Sequence, residues 1–137
     1  MKRQRDSFLT PLDVRVMESG KRFQLLHQFT YRWKGRDVPV NITVPAGFKT
    51  DFASIPRLAR LLIPKLGRYN KAAVVHDACY QRKYTAHMGL IYYTFDRRTS
   101  DLIFLDAMAD LGVAKWKRLL MYYGVRLGGF LAWSKKP

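Results

Sequence analysis

A histidine and an aspartate stand side by side in the apolar run AAVVHDACY, which covers residues 72–80. A buried charge without partners is costly, so His76 and Asp77 either lie at a surface or have partners and a task. On a helix, Tyr80 lies within one turn of both residues. An imidazole in such a setting can serve as a general base, and the neighbouring carboxylate can hold a cation.

A later acid has a matching apolar helical setting. Asp101 is followed by Phe104, Leu105 and Met108 at helical spacing. If the helices around His76 and Asp101 pack antiparallel, we expect the two side chains to form a hydrogen bond. A carboxylate bound to one imidazole nitrogen fixes the tautomer and leaves the other nitrogen as the general base.

The first third of the chain has the alternation of β-strands. Apolar residues at odd positions predict one strand over 23–33, and a second alternating run over 38–44 follows a turn at 34–37. These two runs predict a hairpin over residues 22–45, with Pro39 placing its second strand at an edge or leaving it bonded on one side at that position. A short strand over 14–18 is expected to join this sheet.

The remainder of the chain reads as helical, with a loop around Gly89. Helices are predicted at 54–62, 71–83, 97–111 and 114–124, the last with a continuation toward Trp133. The fold class is therefore α+β: a small antiparallel N-terminal sheet followed by about four helices. The length predicts a single domain over 1–137, with a β part at 1–50 and a helical part at 51–137.

The charge of the chain predicts anionic partners. There are 25 Lys and Arg against 10 Asp and Glu, which gives a formal net charge of +15. Such a field attracts a phospholipid surface or nucleic acid non-specifically. The single cysteine, Cys79, argues against a disulfide framework and is expected to be a small buried filler. Neither a signal peptide nor a transmembrane segment is expected.

The pattern around His76 resembles the catalytic helices of phospholipase A2-type enzymes, and most of all the disulfide-free form in parvovirus capsid proteins. The stretches NKAAVVHDACYQRKY and RRTSDLIFLDAM carry the likeness. The resemblance implies that His76 is the base that activates water and Asp77 a calcium ligand. It also implies that Tyr80 supports the site and that Asp101 orients the histidine. Two acids with His76 are equally compatible with zinc or another transition ion.

The segment GFKTDFASIPR has two interpretations. Asp51 and Ser54 have the spacing of a capping turn, or they face Asp77 and supply oxygens to a Ca²⁺ ion. Arg57 pairs with Asp51 at the surface, or it holds an anionic substrate. The glycine-rich calcium loop of phospholipases has no counterpart in residues 56–69, where Gly67 is the single glycine.

Nearly the whole chain resembles a family of small phage and prophage proteins that form a domain of unknown function. The stretches VPAGFKTDFASIPR, AAVVHDACY, SDLIFLDAM and YYGVRLGG carry this resemblance. It implies a location in the host cytoplasm or the virion. Two functions stay open: a hydrolase of an anionic ester such as a phospholipid, or a non-enzymatic virion, tail or host-takeover protein. The non-enzymatic protein would bind nucleic acid or a host partner, and the His76–Asp77 pair would be structural.

Overall fold

The computed structural model describes residues 7–35, 39–50, 69–81, 86–88, 91–93 and 95–135. These residues form an α+β fold with antiparallel sheets and three helices. The strands are β1 (Val14–Val16), β2 (Phe23–Leu25), β3 (Phe29–Trp33), β4 (Val40–Val44), β5 (Lys49–Thr50), β6 (Ala86–Met88) and β7 (Ile91–Tyr93). The helices are α1 (Asn70–Gln81), α2 (Arg97–Asp110) and α3 (Lys115–Lys135).

The strands form two sheets. One has the order β1-β2-β5 and the other the order β3-β4-β6-β7. The strand predicted over residues 23–33 is thus wrong as a single element, because β2 and β3 belong to different sheets. Residues 26–28 between them are exposed, so His27 does not continue the buried face that Leu25 and Phe29 share. The short strand expected near residue 14 is present as β1, antiparallel to β2.

The predicted hairpin is confirmed in its central part by the pairing of β3 with β4. Phe29 pairs with Val44 and Trp33 with Val40. However, β4 is not an edge strand, because it also pairs with β6. Pro39 precedes β4 and so does not interrupt its ladder of hydrogen bonds. The loop expected around Gly89 is instead flanked by two paired strands, since β6 and β7 extend the sheet from β4.

Helix α1 confirms the helix predicted over 71–83 and is enclosed by protein. Eight of its twelve residues are buried, among them Ala72, Ala73 and His76. A helix that is apolar on nearly all sides belongs in the interior, and α1 contacts β4, α2 and α3. The two alanines let the neighbouring elements approach its backbone closely. The helical run around the His-Asp pair is therefore part of the core.

Helix α2 begins and ends where the sequence places its signals. The side chain of Asp96 caps the start by accepting a hydrogen bond of 2.8 Å from the Thr99 amide. At the other end Gly112 adopts a left-handed conformation with φ of 76°. The Gly112 amide bonds to the Ala109 carbonyl and the Val113 amide to the Met108 carbonyl, which is the Schellman arrangement.

Helix α3 runs without a break through residues 115–135, past the Gly128–Gly129 pair. The sequence predicted about four helices, and three are seen in the described part of the chain. The remaining one, predicted at 54–62, lies outside the described residues. Within the described residues no helix is both long and apolar enough to cross a bilayer.

One continuous core joins the strands to the helices. Its largest fully buried side chains are Tyr31, Phe29, Phe104, Leu25, Ile103, Met108, Met121, Val40 and Val44. Two polar contacts fasten β3 to α2: the Tyr31 hydroxyl donates to Asp110 and the Trp33 indole N–H donates to Asp106, both at 2.8 Å. Burial of these aromatic rings therefore leaves no polar tip unsatisfied. The contacts fix α2, and with it Asp101, against the sheet.

Candidate functional site

The carboxylate of Asp101 is the centre of a buried polar cluster. Its Oδ1 atom lies 2.7 Å from His76 Nε2 and accepts a hydrogen bond of 2.6 Å from the Tyr80 hydroxyl. Its Oδ2 atom accepts a hydrogen bond of 2.8 Å from Arg126 Nη1. The side chain of Asp101 is 0% exposed and that of His76 is 3% exposed. Helices α1, α2 and α3 each contribute at least one side chain to the cluster.

The hydrogen bond predicted between His76 and Asp101 is confirmed. His76 and Tyr80, one turn apart on α1, both reach Asp101, and the His76 ring also stacks on Phe104, one turn further along α2, at a centroid distance of 4.6 Å. This order of contacts is that of antiparallel helices. The Tyr80 ring lies 4.2 Å from the His76 ring between centroids. The imidazole is thus held by stacking as well as by its hydrogen bond.

Asp101 remains ionised at neutral pH. Burial by itself would raise the pKa of Asp101, but the hydrogen bonds from His76, Tyr80 and Arg126 outweigh burial and lower the pKa below the ordinary value of 3.8. The same hydrogen bond to Asp101 raises the pKa of Arg126. The cluster therefore contains a buried carboxylate that is compensated by three donors.

Tyr80 is a neutral hydrogen-bond donor in this cluster. Burial, followed by the bond to the Asp101 carboxylate, raises the pKa of Tyr80 well above its ordinary value, against an opposing effect of Arg97. The phenol consequently keeps its proton across the physiological pH range. Its hydroxyl donates a hydrogen bond to the Asp101 carboxylate without adding charge, and the carboxylate stays ionised.

Arg126 is the member of the cluster that the sequence interpretation missed. A signal for it existed, because Arg126 is the one charge in the apolar run of residues 119–133, and a charge in such a run needs a partner. Arg97, at the start of α2, donates from Nη2 to the backbone carbonyls of Val125 and Arg126. Arg97 thus fixes the turn of α3 from which Arg126 reaches Asp101.

Of the remaining predicted site residues, the structure describes only Asp77. Asp77 is half-buried on α1, while Asp51, Ser54 and Arg57 lie outside the described residues. Their predicted roles in holding a cation or substrate stay predictions. Within the described ranges, no group of three or more His, Cys, Asp and Glu side chains is placed to hold a metal ion.

Cys79 is the small buried residue that the sequence suggested. Its side chain is 5% exposed, and burial raises the pKa of the Cys79 thiol to about 12. Because the thiolate is the nucleophilic form, a thiol with so high a pKa is inert at neutral pH. The geometry therefore leaves His76 and Asp101, not Cys79, as the candidates for chemistry.

Comparison with known proteins shows the family but no characterised relative. The chain belongs to the family described as protein of unknown function (DUF1353), whose model matches residues 23–125.

 

His76, Tyr80 and Asp101 therefore fall inside the region that matches the family, and Arg126 falls just outside it. No curated protein sequence and no solved structure matches the chain. The family description assigns no reaction, so the function has to be argued from the cluster itself.

Proposed function

We propose that this protein is a hydrolase in which His76 is the general base and Asp101 orients it. The observation that carries the proposal is the 2.7 Å contact between His76 Nε2 and the fully buried Asp101 carboxylate. An ionised carboxylate keeps the proton on Nε2, so Nδ1 is the nitrogen that accepts a proton from water. The same carboxylate stabilises the imidazolium that this transfer creates.

The surrounding donors support this assignment of roles. Tyr80 and Arg126 occupy one oxygen each of Asp101, which prevents the carboxylate from rotating away from His76. Stacking on Phe104 restrains the imidazole plane. Such positioning of a base by packed neighbours is what proton transfer in an enzyme requires. The phospholipase A2 resemblance assigns the same tasks to His76, Tyr80 and Asp101.

An anionic ester, such as a phospholipid, is the substrate class we propose. The net charge of +15 concentrates anionic molecules near the protein. Ester hydrolysis by water needs a base of the kind that His76 provides. The resemblance to phospholipase A2-type enzymes supports the same class.

Cation binding by Asp77 is a separate part of this proposal. Ca²⁺ is bound by six to eight oxygens, and Asp77 by itself supplies one or two. Among the described residues, no group of three or more His, Cys, Asp and Glu side chains is placed to hold a metal ion, so a Ca²⁺ ion at Asp77 would need further oxygen donors. Whether Asp77 and Asp51 hold a cation together is a separate prediction, which the chelator arm of the assay tests.

The test is the release of fatty acid from anionic liposomes by wild type and by three variants, His76→Gln, His27→Gln and Asp77→Asn. Each protein is assayed with calcium and with chelator. His76→Gln should lower the rate by roughly two to four powers of ten, because glutamine cannot act as a base. His27 is exposed, so His27→Gln is the matched control and should keep the wild-type rate. Asp77→Asn should abolish any dependence on calcium if Asp77 is a ligand.

If wild type releases fatty acid no faster than liposomes without protein do, the hydrolase proposal is wrong for this substrate class. Circular dichroism and urea unfolding on the same samples separate chemistry from stability. Because His76 is only 3% exposed, a purely structural cluster is the competing interpretation. If wild type is inactive and His76→Gln unfolds, the cluster is structural.

A non-enzymatic phage virion, tail or host-takeover protein is the second candidate. The observation that favours it is the spread of 25 Lys and Arg along the chain, which suits a polyanionic partner such as nucleic acid or an acidic host protein. In that case the Asp101 cluster holds three helices together and does no chemistry. The liposome assay distinguishes the two candidates.

A further inference from the structure

Helix α3 carries an apolar stripe that faces away from the core. Four large side chains are exposed along it: Trp116 at 55%, Leu120 at 39%, Tyr123 at 59% and Leu127 at 80%. Their spacing of four, three and four residues places them within an arc of about 60° on a regular helix. The stripe is about 16 Å long, since the helix rises about 1.5 Å per residue.

The opposite side of α3 accounts for the packing of the helix. Met121 is 0% exposed and Val125 6% exposed, and both lie across the helix axis from the stripe. Helix α3 contacts α2 and α1, and Arg126 reaches Asp101. The stripe is therefore a second apolar face, which the described part of the chain leaves exposed.

The charges of α3 indicate what covers this face. Residues 115–135 contain five Lys and Arg and no Asp or Glu. Lys117 lies with its ammonium 5.6 Å from the centre of the Trp116 ring, so a cation borders the stripe at its N-terminal end. An apolar stripe with Trp, Tyr and Leu between flanking cations is the pattern of a helix that lies in the interface of an anionic bilayer.

We propose that α3 docks through this stripe onto an anionic lipid surface, with its axis parallel to the membrane plane. Trp116 and Tyr123 suit the boundary between headgroups and acyl chains, since each has an apolar body and a polar tip. Leu120 and Leu127 enter the acyl region, while Lys115 and Lys117 meet the lipid phosphates. The proposal concerns binding alone and stands whether or not His76 is a base.

Other occupants fit the observations less well. A second copy packed in parallel would set Lys115 and Lys117 of one α3 against the same two residues of the other, a repulsive arrangement. Nucleic acid would use the cations at the borders but gains nothing from the exposed leucines at the centre. An acidic amphipathic helix is a further alternative, which the experiment below tests directly.

The test is flotation of the full chain with vesicles of phosphatidylcholine, with and without phosphatidylglycerol. Wild type should bind the anionic vesicles and not the neutral ones, and added salt should weaken binding. Leu127→Ser and Tyr123→Ser should each weaken the vesicle partition coefficient about tenfold or more, because each removes apolar burial from the contact.

The matched control is Val16→Ser, because Val16 is 61% exposed on β1 and is not part of the stripe. This variant should bind within about twofold of wild type. Circular dichroism checks that all variants keep the fold. Equal binding by Leu127→Ser and wild type would show attraction by charge alone and overturn the proposal. Absence of binding to anionic vesicles, or binding only to duplex DNA or to an acidic helical peptide, would overturn it as well.

Discussion

The backbone of Gly129 passes so close to Tyr80 that a Cβ atom built at Gly129 would lie 2.5 Å from the tyrosine hydroxyl oxygen. The backbone of α3 thus comes close to Tyr80 at a position that lacks a side chain. At the adjacent Gly128, a built Cβ meets nothing within 4 Å. The two neighbouring glycines provide a matched pair for testing how tightly the cluster is packed.

We expect Gly129→Ala to destabilise the protein by about 1–3 kcal/mol, because the added methyl group must displace the buried Tyr80 or shift α3. Gly128→Ala should be neutral or stabilising by about 0.5–1 kcal/mol, since alanine is the better helix former and has open space. Urea unfolding of both variants measures the difference. Equal effects of the two substitutions would contradict the close approach of α3 to Tyr80.

Asp101→Asn should lower the free energy of unfolding at neutral pH by about 2–4 kcal/mol, since it removes the charge that compensates Arg126. The pKa of Asp101 is lowered in the folded protein. Its ionised form therefore contributes stability that is fully present above the ordinary value of 3.8 and is lost as the pH falls through the folded pKa. The difference in the free energy of unfolding between wild type and Asp101→Asn should accordingly become smaller in acid.

Urea unfolding of both proteins across this pH range is the measurement. If the difference in the free energy of unfolding stays constant in acid, the charge of Asp101 does not contribute to stability.

Arg126→Gln should destabilise the fold by about 1.5–3 kcal/mol, because a charge-assisted hydrogen bond to a fully buried carboxylate is lost. It should also raise the pKa of Asp101, so that acid unfolding begins at a higher pH than in wild type. Arg98 is exposed on α2, and Arg98→Gln is the control, expected to change stability by no more than about 0.5 kcal/mol. If Arg126→Gln is as stable as Arg98→Gln, the contact of Arg126 with Asp101 contributes no stability.

Retention on heparin should be strong at low salt and fall steeply as salt is added, because counterions are released when the +15 protein binds a polyanion. Elution from immobilised DNA should not depend on base sequence. Chromatography over a salt gradient measures both properties. Binding to one DNA sequence that persists at high salt would point to a specific site and favour the non-enzymatic candidate.

Local pattern in the sequence was enough to predict much of the helical half. Apolar spacing indicated the helices around His76 and Asp101 and the hydrogen bond between them, and Gly112 marked the end of α2. The hydrogen bond joins residues 25 positions apart and was predicted on the condition that the two helices pack antiparallel. The helices and the helix end depend on residues that are close in sequence, where the periods of a helix and the conformational freedom of glycine apply directly. The β3–β4 hairpin was predictable for the same reason.

Tertiary structure decided the features that depend on distant partners. The alternation over residues 23–33 does not show that β2 and β3 enter different sheets, because either sheet can bury the same apolar face. The pairing of β6 with β4 is likewise set by an available strand edge far away in the sequence. The sequence shows Arg126 only as a charge that needs a partner, and packing of α3 against α2 selects Asp101. Periodicity therefore determines which face of an element is apolar, whereas packing determines what that face and its charges meet.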